Sequence, residues 1–229
     1  MTTTSHSALT AQTPWAIALL RLPSGYQPYA VSRRDVERDT AWAIKVFEWM
    51  GLRKGLPMHL IGAGSDNVTL WPFENACIHQ GIPFGMGEPV QIDSGRTDMF
   101  LRRFQMQAVI GLANGVLDGL QAAGRDLKRL LGETQVLAAM PDACVRLKAA
   151  GLAPWRMVQV GPIYAFEAPD GGGARYDNSE WLVEDDGTQL LLTSLAPRAC
   201  PFVRLQTGVR GKVETGTVNG ISERLIKLP

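Results

Sequence analysis

Two residues near the end of a strand-like run are the first candidates for chemistry. Tyr164 and Glu167 follow residues 157–160, and we predict that they end the last parallel strand of a sheet. Open parallel sheets bind ligands beyond the carboxyl ends of their strands. The sequence therefore predicts catalytic roles for Tyr164 and Glu167, with a structural role for both as the alternative.

A second candidate is the turn at Ser24 and Gly25, which lies between two strand-like segments. Backbone N–H groups in such a turn can hold a phosphate. No lysine of the Walker type follows it, although phosphate loops of that class need one. Taken alone, the pattern predicts only a turn.

Two further motifs lack the residues that a nucleotide or metal site needs. Residues 62–64, Gly-Ala-Gly, follow a strand as in dinucleotide-binding proteins, but Asn67 replaces the third glycine. Cys77 and His79 form a single close pair, whereas zinc needs three or four ligands. We therefore predict neither a nicotinamide site nor a metal site.

The composition excludes several classes of partner. The chain has 23 basic and 22 acidic residues and a net charge of +1, so no overall field favours nucleic acid or an anionic membrane. Its three cysteines lie far apart, which indicates a reducing compartment. No apolar run approaches the roughly 18 residues of a membrane span, and residues 1–14 lack a signal-peptide pattern. We predict a cytoplasmic protein with a flexible tail over residues 1–14.

Apolar runs alternate with helical patterns, which predicts an α/β fold with a mostly parallel, doubly wound sheet. The predicted strands are 15–22, 58–61, 82–84, 108–112, 134–139 and 157–160, and the predicted helices are 33–50, 72–81, 98–105, 114–123 and 142–150. Ser32 and Asp35 form a capping box before the first helix. After residue 170 only strand and turn signals remain. We divide the chain into an α/β core, residues 15–170, and a small β-rich subdomain, residues 171–229.

One segment of the β-rich part, residues 180–208, gives the clearest local signals. Asp186 and Gly187 lie between the apolar runs 181–183 and 190–192, which is a strong hairpin pattern. A third β-prone run, 202–206, follows two prolines and ends at Thr207 and Gly208.

The order of these elements resembles the adenylate-forming superfamily, and in particular its phenylacetate-CoA ligase-like branch. The most specific match is Thr193-Ser194-Leu195 with residues 201–208, which is similar to the family's T-S-L…P-(I/L)-(I/V)-R-Y-(R/K)-T-(R/G)-D segment. Residues 23–35 are similar to the phosphate loop and the elements after it, and residues 51–55 to a G-(V/L)-(R/K)-x-G-D step. The resemblance covers about residues 15–215 and implies the core of an adenylate-forming ligase.

Three ATP-contacting motifs of that family are altered. The phosphate-loop remnant, Ser24-Gly25-Tyr26, keeps few hydroxyl and glycine residues. The magnesium-binding Y-G-x-T-E motif is matched either by residues 160–164, which lose the acid, or by residues 164–168, which keep an acid one position early. After the ribose-side remnant, Thr207-Gly208, the ribose-binding aspartate is replaced by Val209.

The family also continues well past the equivalent of Pro229, through a hinge and usually a catalytic lysine. Lysine and magnesium neutralise charge that develops during adenylation, so the loss of both should remove much transition-state stabilisation. We therefore expect a degenerate, truncated ligase-like protein that binds a small carboxylic or aryl ligand, or a partner protein, without self-sufficient adenylation. A homodimer is the expected assembly.

Two alternatives stay open. An active carboxylate-activating enzyme, adenylating or acyl-transferring, would receive its missing parts in trans. ATP and magnesium would then be its cofactors, with Glu167 on the metal and Ser24 and Gly25 on the phosphates. The second alternative is a purely structural interaction protein.

The resemblance also implies a ligand pocket at the carboxyl ends of the strands. Its residues are mostly small or apolar, which suits an aromatic or aliphatic acid. The predicted pocket residues are Gly62, Gly64, Asn114, Met140, Gly161, Pro162 and Phe166.

Overall fold

A computed structural model describes residues 13–63, 67–218 and 220–229. The strands of these residues are β1 (Ala16–Leu22), β2 (Gly25–Val31), β3 (Met58–Ile61), β4 (Phe84–Gly87), β5 (Ala108–Leu112), β6 (Val136–Ala139), β7 (Trp155–Val160), β8 (Ile163–Glu167), β9 (Trp181–Asp185), β10 (Leu190–Ser194), β11 (Leu205–Gln206), β12 (Lys212–Val218) and β13 (Ile221–Lys227). The helices are α1 (Arg33–Trp49), α2 (Asn67–Gln80), α3 (Ser94–Phe104), α4 (Asn114–Ala122), α5 (Leu127–Leu131) and α6 (Pro141–Ala149).

The central sheet has the strand order β4-β3-β5-β6-β7-β8. Strands β3 to β7 pair in parallel and alternate with helices, so the predicted α/β class with a mostly parallel, doubly wound sheet is confirmed. Strand β8 runs antiparallel to β7. The prediction that Tyr164 and Glu167 end a parallel strand is therefore wrong. Only Gly161 and Pro162 separate the two strands, and so short a connection can join antiparallel strands but not parallel ones.

Helices cover both faces of this sheet because its strands are buried on both sides. Leu60 and Ile110 face a core that includes side chains of α1 and α2. Their neighbours Ile61 and Val109 face a second core that includes side chains of α3, α4, α5 and α6. The alternation follows from the two-residue repeat of a strand.

Helix α1 begins at the predicted capping box. Ser32 Oγ accepts the Asp35 backbone N–H at 3.1 Å, and Asp35 Oδ2 accepts the Ser32 backbone N–H at 2.8 Å. The helix ends at Trp49, and Gly51 follows with a φ of 73°. The predicted start and stop of this helix are confirmed.

Helix α2 begins five residues before the predicted start at Pro72, which lies inside the helix. Proline favours the first helical turn and removes one hydrogen bond further in, at a cost of about 3 kcal/mol. Leu70 and Phe73 are almost fully buried. Burying two such side chains stabilises the helix by about 3–6 kcal/mol, which offsets the proline.

Other boundaries also differ from the prediction. Strand β4 starts after Pro83, whose missing N–H cannot pair in a ladder and whose carbonyl accepts Met58 N–H at 2.8 Å. Helix α3 begins at Ser94, after a 3-10 turn at Gln91–Asp93, and the short helix α5 was not predicted. Strand β11 has only two of the five residues expected.

Antiparallel strands form the rest of the described chain. β1 pairs with β2, β9 with β10 and β12 with β13, and β10 also pairs with β11. The hairpin predicted at Asp186 and Gly187 is confirmed by the β9–β10 register. A third core joins residues on both sides of position 170, including Leu20, Val160 and Val183. The division of the chain at residue 170 stays a prediction.

Among the described residues, no helix combines the length and hydropathy of a membrane-spanning segment.

Candidate functional site

A cavity of about 50 Å³ lies beside the β7–β8 turn. Residues from β2, α1, α2, the β7–β8 turn and the loop between β10 and β11 line it. We call this loop, residues 195–204, the Arg198 loop. The wall contains aromatic and charged side chains. The aromatic ones are Tyr29, Trp42, Phe73, Tyr164, Trp181 and Phe202, and the charged ones are Asp35, Asp39, Asp177 and Arg198.

Helix α1 contributes three of these residues because of their spacing. Asp35, Asp39 and Trp42 follow an i, i+4, i+7 pattern, which places them along one side of a helix. The capping box fixes the first of them. Asp35 Oδ2 also accepts the Ala199 backbone N–H at 3.1 Å, which ties the start of α1 to the Arg198 loop.

Arg198 crosses from its loop to α1 as a buried cation. Its Nη1 and Nη2 donate to the two carboxylate oxygens of Asp39 at 3.0 and 2.7 Å, and Nη2 also donates to Glu180 Oε2 at 3.1 Å. The guanidinium lies 4.2 Å from the ring centre of Trp181, and only 5% of the side chain is exposed. Bidentate pairing and a cation–π contact together fix the Arg198 loop on the helix.

Burial sets the electrostatics of this pair. It raises the pKa of the Asp39 carboxyl above its ordinary value, and the hydrogen bonds from Arg198 oppose that rise. Burial alone would lower the pKa of Arg198, but Asp39 and Glu180 hold it above its ordinary value. The guanidinium therefore stays charged inside the protein.

The two predicted catalytic residues do not meet. Tyr164 lines the cavity at the start of β8. Glu167 lies three residues further on, so its side chain points to the other face of the strand. It pairs with Arg156 early in β7, and its carboxylate accepts the Gly173 N–H at 3.0 Å and lies 3.5 Å from Arg156 Nε. Among the described residues, no cluster of three or more His, Cys, Asp or Glu side chains is arranged to hold a metal ion.

The phosphate-loop remnant is a tight hairpin turn. Pro23 and Ser24 connect β1 to β2, and Leu22 pairs with Gly25. A turn was predicted at Ser24 and Gly25, and the second strand already begins at Gly25. Tyr26 is 71% exposed.

The ribose-side remnant packs against this turn. A Cβ added to Gly208 would lie 2.6 Å from Pro23 Cγ. Thr207 Oγ1 donates to Leu190 O at 2.8 Å, and the Gly208 N–H donates to Gln189 Oε1 at 2.8 Å. The structure thus brings the two remnants together, in contacts that hold strands and turns in place.

The predicted pocket residues are only partly assembled. Pro162 lines the cavity, whereas Gly62 is covered by Leu70 and Phe166 is fully buried in a core. Four predicted pocket residues remain. Gly64 lies outside the described residues, and Asn114 Oδ1 accepts a hydrogen bond from Arg146 at 3.1 Å. Met140 packs against a core, and Gly161 lies near Leu205 and Leu192.

Sequence reasoning missed Asp39, Trp42, Trp181 and Arg198, and assigned Asp35 only to the helix cap. The available signal was the i, i+4, i+7 spacing in α1, which places acids beside a tryptophan. The partner of these acids is far along the chain, so no local pattern could have identified it.

No protein-family model and no curated protein sequence matches the chain. Several solved structures match the chain. The chain has the fold of a CoA ligase. A crystal structure of 2-hydroxyisobutyryl-CoA ligase in an open conformation, in complex with 2-HIB-AMP and CoA, matches it with a TM-score of 0.70 and 12% identity, over 93% of this chain and 52% of the ligase.

Other states of that ligase give the same result. The complex with 2-HIB-AMP and CoA in the thioesterification state matches with a TM-score of 0.67 and 14% identity, over 93% of this chain and 51% of that one. The postadenylation state with 2-HIB-AMP matches with a TM-score of 0.64 and 13% identity, over 93% of this chain and 55% of that one. The chain thus spans about half the length of the ligases it matches. The phenylacetate-CoA ligase-like branch stays a prediction.

Proposed function

We propose that this chain is a ligase-like core that binds a small ligand and does not form acyl adenylates by itself. The matched ligase structures contain 2-HIB-AMP, which supports a small-ligand role for the shared fold. The part of the proposal that concerns adenylation rests on the turn between β1 and β2.

That turn supports the proposal because it offers few groups to a phosphate. A phosphate-binding loop directs several backbone N–H groups at its ligand. Here only two residues separate the paired strands, and Pro23 has no N–H. The ring of Pro23 also lies against Gly208. An ATP triphosphate would therefore meet little of the electrostatic stabilisation that its chemistry requires.

The surroundings of Glu167 and Val209 favour the same proposal. Glu167 is engaged by Arg156 and by the backbone of Gly173. Val209 packs against a core, and its apolar side chain cannot accept hydrogen bonds from a ribose. The competing hypothesis is an active enzyme whose missing groups come from another chain.

Calorimetric titration with ATP and magnesium tests the proposal. We expect no micromolar binding, and no pyrophosphate release with a panel of small aliphatic and aryl acids. Micromolar binding would contradict the proposal. So would pyrophosphate release that Glu167→Gln abolishes. Glu223→Gln is the matched control, because Glu223 also pairs with an arginine, Arg175, at 2.9 Å.

Partner proteins are tested in the same assay. Pyrophosphate release that appears only when a candidate partner is added would favour the competing hypothesis of an enzyme completed in trans. Self-association stays a prediction, which sedimentation velocity of the purified chain checks.

A further inference from the structure

We infer that the cavity beside Arg198 binds an organic ammonium group. The inference rests on the proposed function only in treating this chain as a small-ligand binder. It departs from the expectation of a carboxylic ligand. The charges, the aromatic wall and an unpartnered carboxylate oxygen, Asp35 Oδ1, support it.

The charges around the cavity are mainly negative. Asp35, Asp39 and Asp177 line it, and Glu180, which does not line it, pairs with Arg198. Against these four carboxylates stand two guanidinium groups: Arg198 pairs with Asp39 and Glu180, and Arg38 lies 3.8 Å from Glu180. A carboxylate ligand would enter against this excess of negative charge, whereas an ammonium group would reduce it.

The aromatic wall suits a cation for a separate reason. Six aromatic side chains line the cavity, and the faces of such rings attract positive charge. The protein already uses one of these faces in this way, because Arg198 lies 4.2 Å from the ring centre of Trp181. Acids and aromatic rings together are the groups that recognise ammonium ligands.

Three buried polar atoms of the lining have no hydrogen-bond partner within the protein. They are Asp35 Oδ1, Trp42 Nε1 and Arg198 Nε. Asp35 is 3% exposed, and its other oxygen accepts from Ser32 and Ala199. A buried carboxylate oxygen without a donor is costly. An ammonium N–H would satisfy Asp35 Oδ1, and a hydroxyl oxygen on the same ligand would accept from Trp42 Nε1.

The volume limits the size of the ligand. One water needs roughly 10–15 Å³ of cavity, and an engineered cavity of about 150 Å³ binds benzene. A cavity of about 50 Å³ therefore holds a group of a few non-hydrogen atoms but no aromatic ring. An amino alcohol of the size of ethanolamine, free or as the end of a longer ligand, fits this space and chemistry.

The test compares three probes of similar size: ethanolamine, ethylene glycol and glycolate. They carry a positive, a neutral and a negative end, respectively. The readout is the indole N–H signals in nitrogen-15 NMR spectra of the full chain, assigned through Trp42→Phe and Trp181→Phe variants. Trp49 and Trp155 pack edge to face outside the cavity, with ring centres 4.7 Å apart, and serve as internal controls.

We expect ethanolamine to shift the Trp42 and Trp181 signals with a millimolar Kd, because so small a ligand makes few contacts. Ethylene glycol should bind about tenfold more weakly, since it lacks the charged hydrogen bond. Glycolate should cause no shift. Glycolate binding as tightly as ethanolamine would overturn the inference. A cavity that holds only water, with no shift at any probe concentration, would also overturn it.

Variants locate the contact. Asp35→Asn keeps the shape of the side chain and should weaken ethanolamine binding about tenfold, with little effect on ethylene glycol. Asp142→Asn, in the first turn of α6, is the matched control for a loss of helix-start charge. If Asp35→Asn fails to fold, Trp42→Phe replaces it, and the preference for ethanolamine over ethylene glycol should persist in that variant because the carboxylate remains.

The outcomes separate this inference from the proposed function. ATP binding together with ethanolamine binding would refute the proposal about adenylation and leave the ammonium site intact. Absence of both would refute only the ammonium site.

Discussion

The cavity beside Arg198 and the turn between β1 and β2 use their polar groups differently. In the cavity, three buried polar atoms lack a protein partner. In the hairpin, Leu22 pairs with Gly25, and Pro23 packs on Gly208. Groups left unpartnered in a cavity are available to a ligand, whereas groups used in packing are not. This difference agrees with the two proposals made above, that the cavity binds a ligand and that the turn has a structural role.

Replacing the buried cation should have the largest effect. Arg198→Met leaves the partly buried Asp39 carboxylate without its partner and Glu180 with only the longer contact to Arg38, so we expect the free energy of unfolding to fall by about 3 kcal/mol, the lower end of the range for a broken buried pair. Urea denaturation measures this change. The control is Arg204→Met, because Arg204 pairs with Glu184 at 2.7 Å but is 55% exposed. That variant should lose less than about 1 kcal/mol. Equal losses in the two variants would contradict the role given to Arg198.

A buried histidine provides the next contrast. His59 lies inside the sheet, where its Nδ1–H donates to Gly85 O at 3.2 Å and its Nε2 lies 3.1 Å from Thr97 Oγ1. Burial is the main reason that its pKa falls from 6.5 to about 4. The unfolded chain therefore takes up a proton at higher pH than the folded chain does.

This difference predicts a pH dependence of stability. The contribution of neutral His59 is complete above pH 6.5 and is lost as the pH falls towards about 4. The full loss is about 3 kcal/mol. Urea denaturation of the native protein and of His59→Gln across this range measures it, because glutamine can donate and accept but does not titrate there. Identical pH profiles would show that His59 is not the group responsible.

Local sequence signals were sufficient for part of this molecule. The capping box at Ser32 and the Asp186–Gly187 hairpin depend on neighbouring residues, and both were predicted correctly. The direction of β8 was missed, although a two-residue connection already excludes a parallel pair. The cavity could not be predicted in this way, because Asp39 and Arg198 are 159 residues apart and meet only through the tertiary fold.

The contact between the turn and the ribose-side remnant gives the smallest expected effects. Gly208 has a φ of +72°, and an added Cβ would lie 2.6 Å from Pro23 Cγ. Gly208→Ala should therefore lower the free energy of unfolding by about 2–3 kcal/mol, through backbone strain and the clash together. Gly187→Ala is the matched control, because Gly187 has a φ of +87° and no atom within 4 Å of an added Cβ. Gly187→Ala should introduce only the backbone strain, which lowers the free energy of unfolding by about 1 kcal/mol.

The difference between these two glycine variants measures the packing of Pro23 on Gly208. Pro23→Ala in the Gly208→Ala background should recover part of that difference, since it removes the ring that causes the clash. Ser24→Ala should change stability by less than about 0.5 kcal/mol if Ser24 serves only in the turn. A larger effect of Ser24→Ala than of Gly208→Ala would mean that the Ser24 hydroxyl has a role beyond the turn. The purely structural role given to the turn between β1 and β2 would then be wrong.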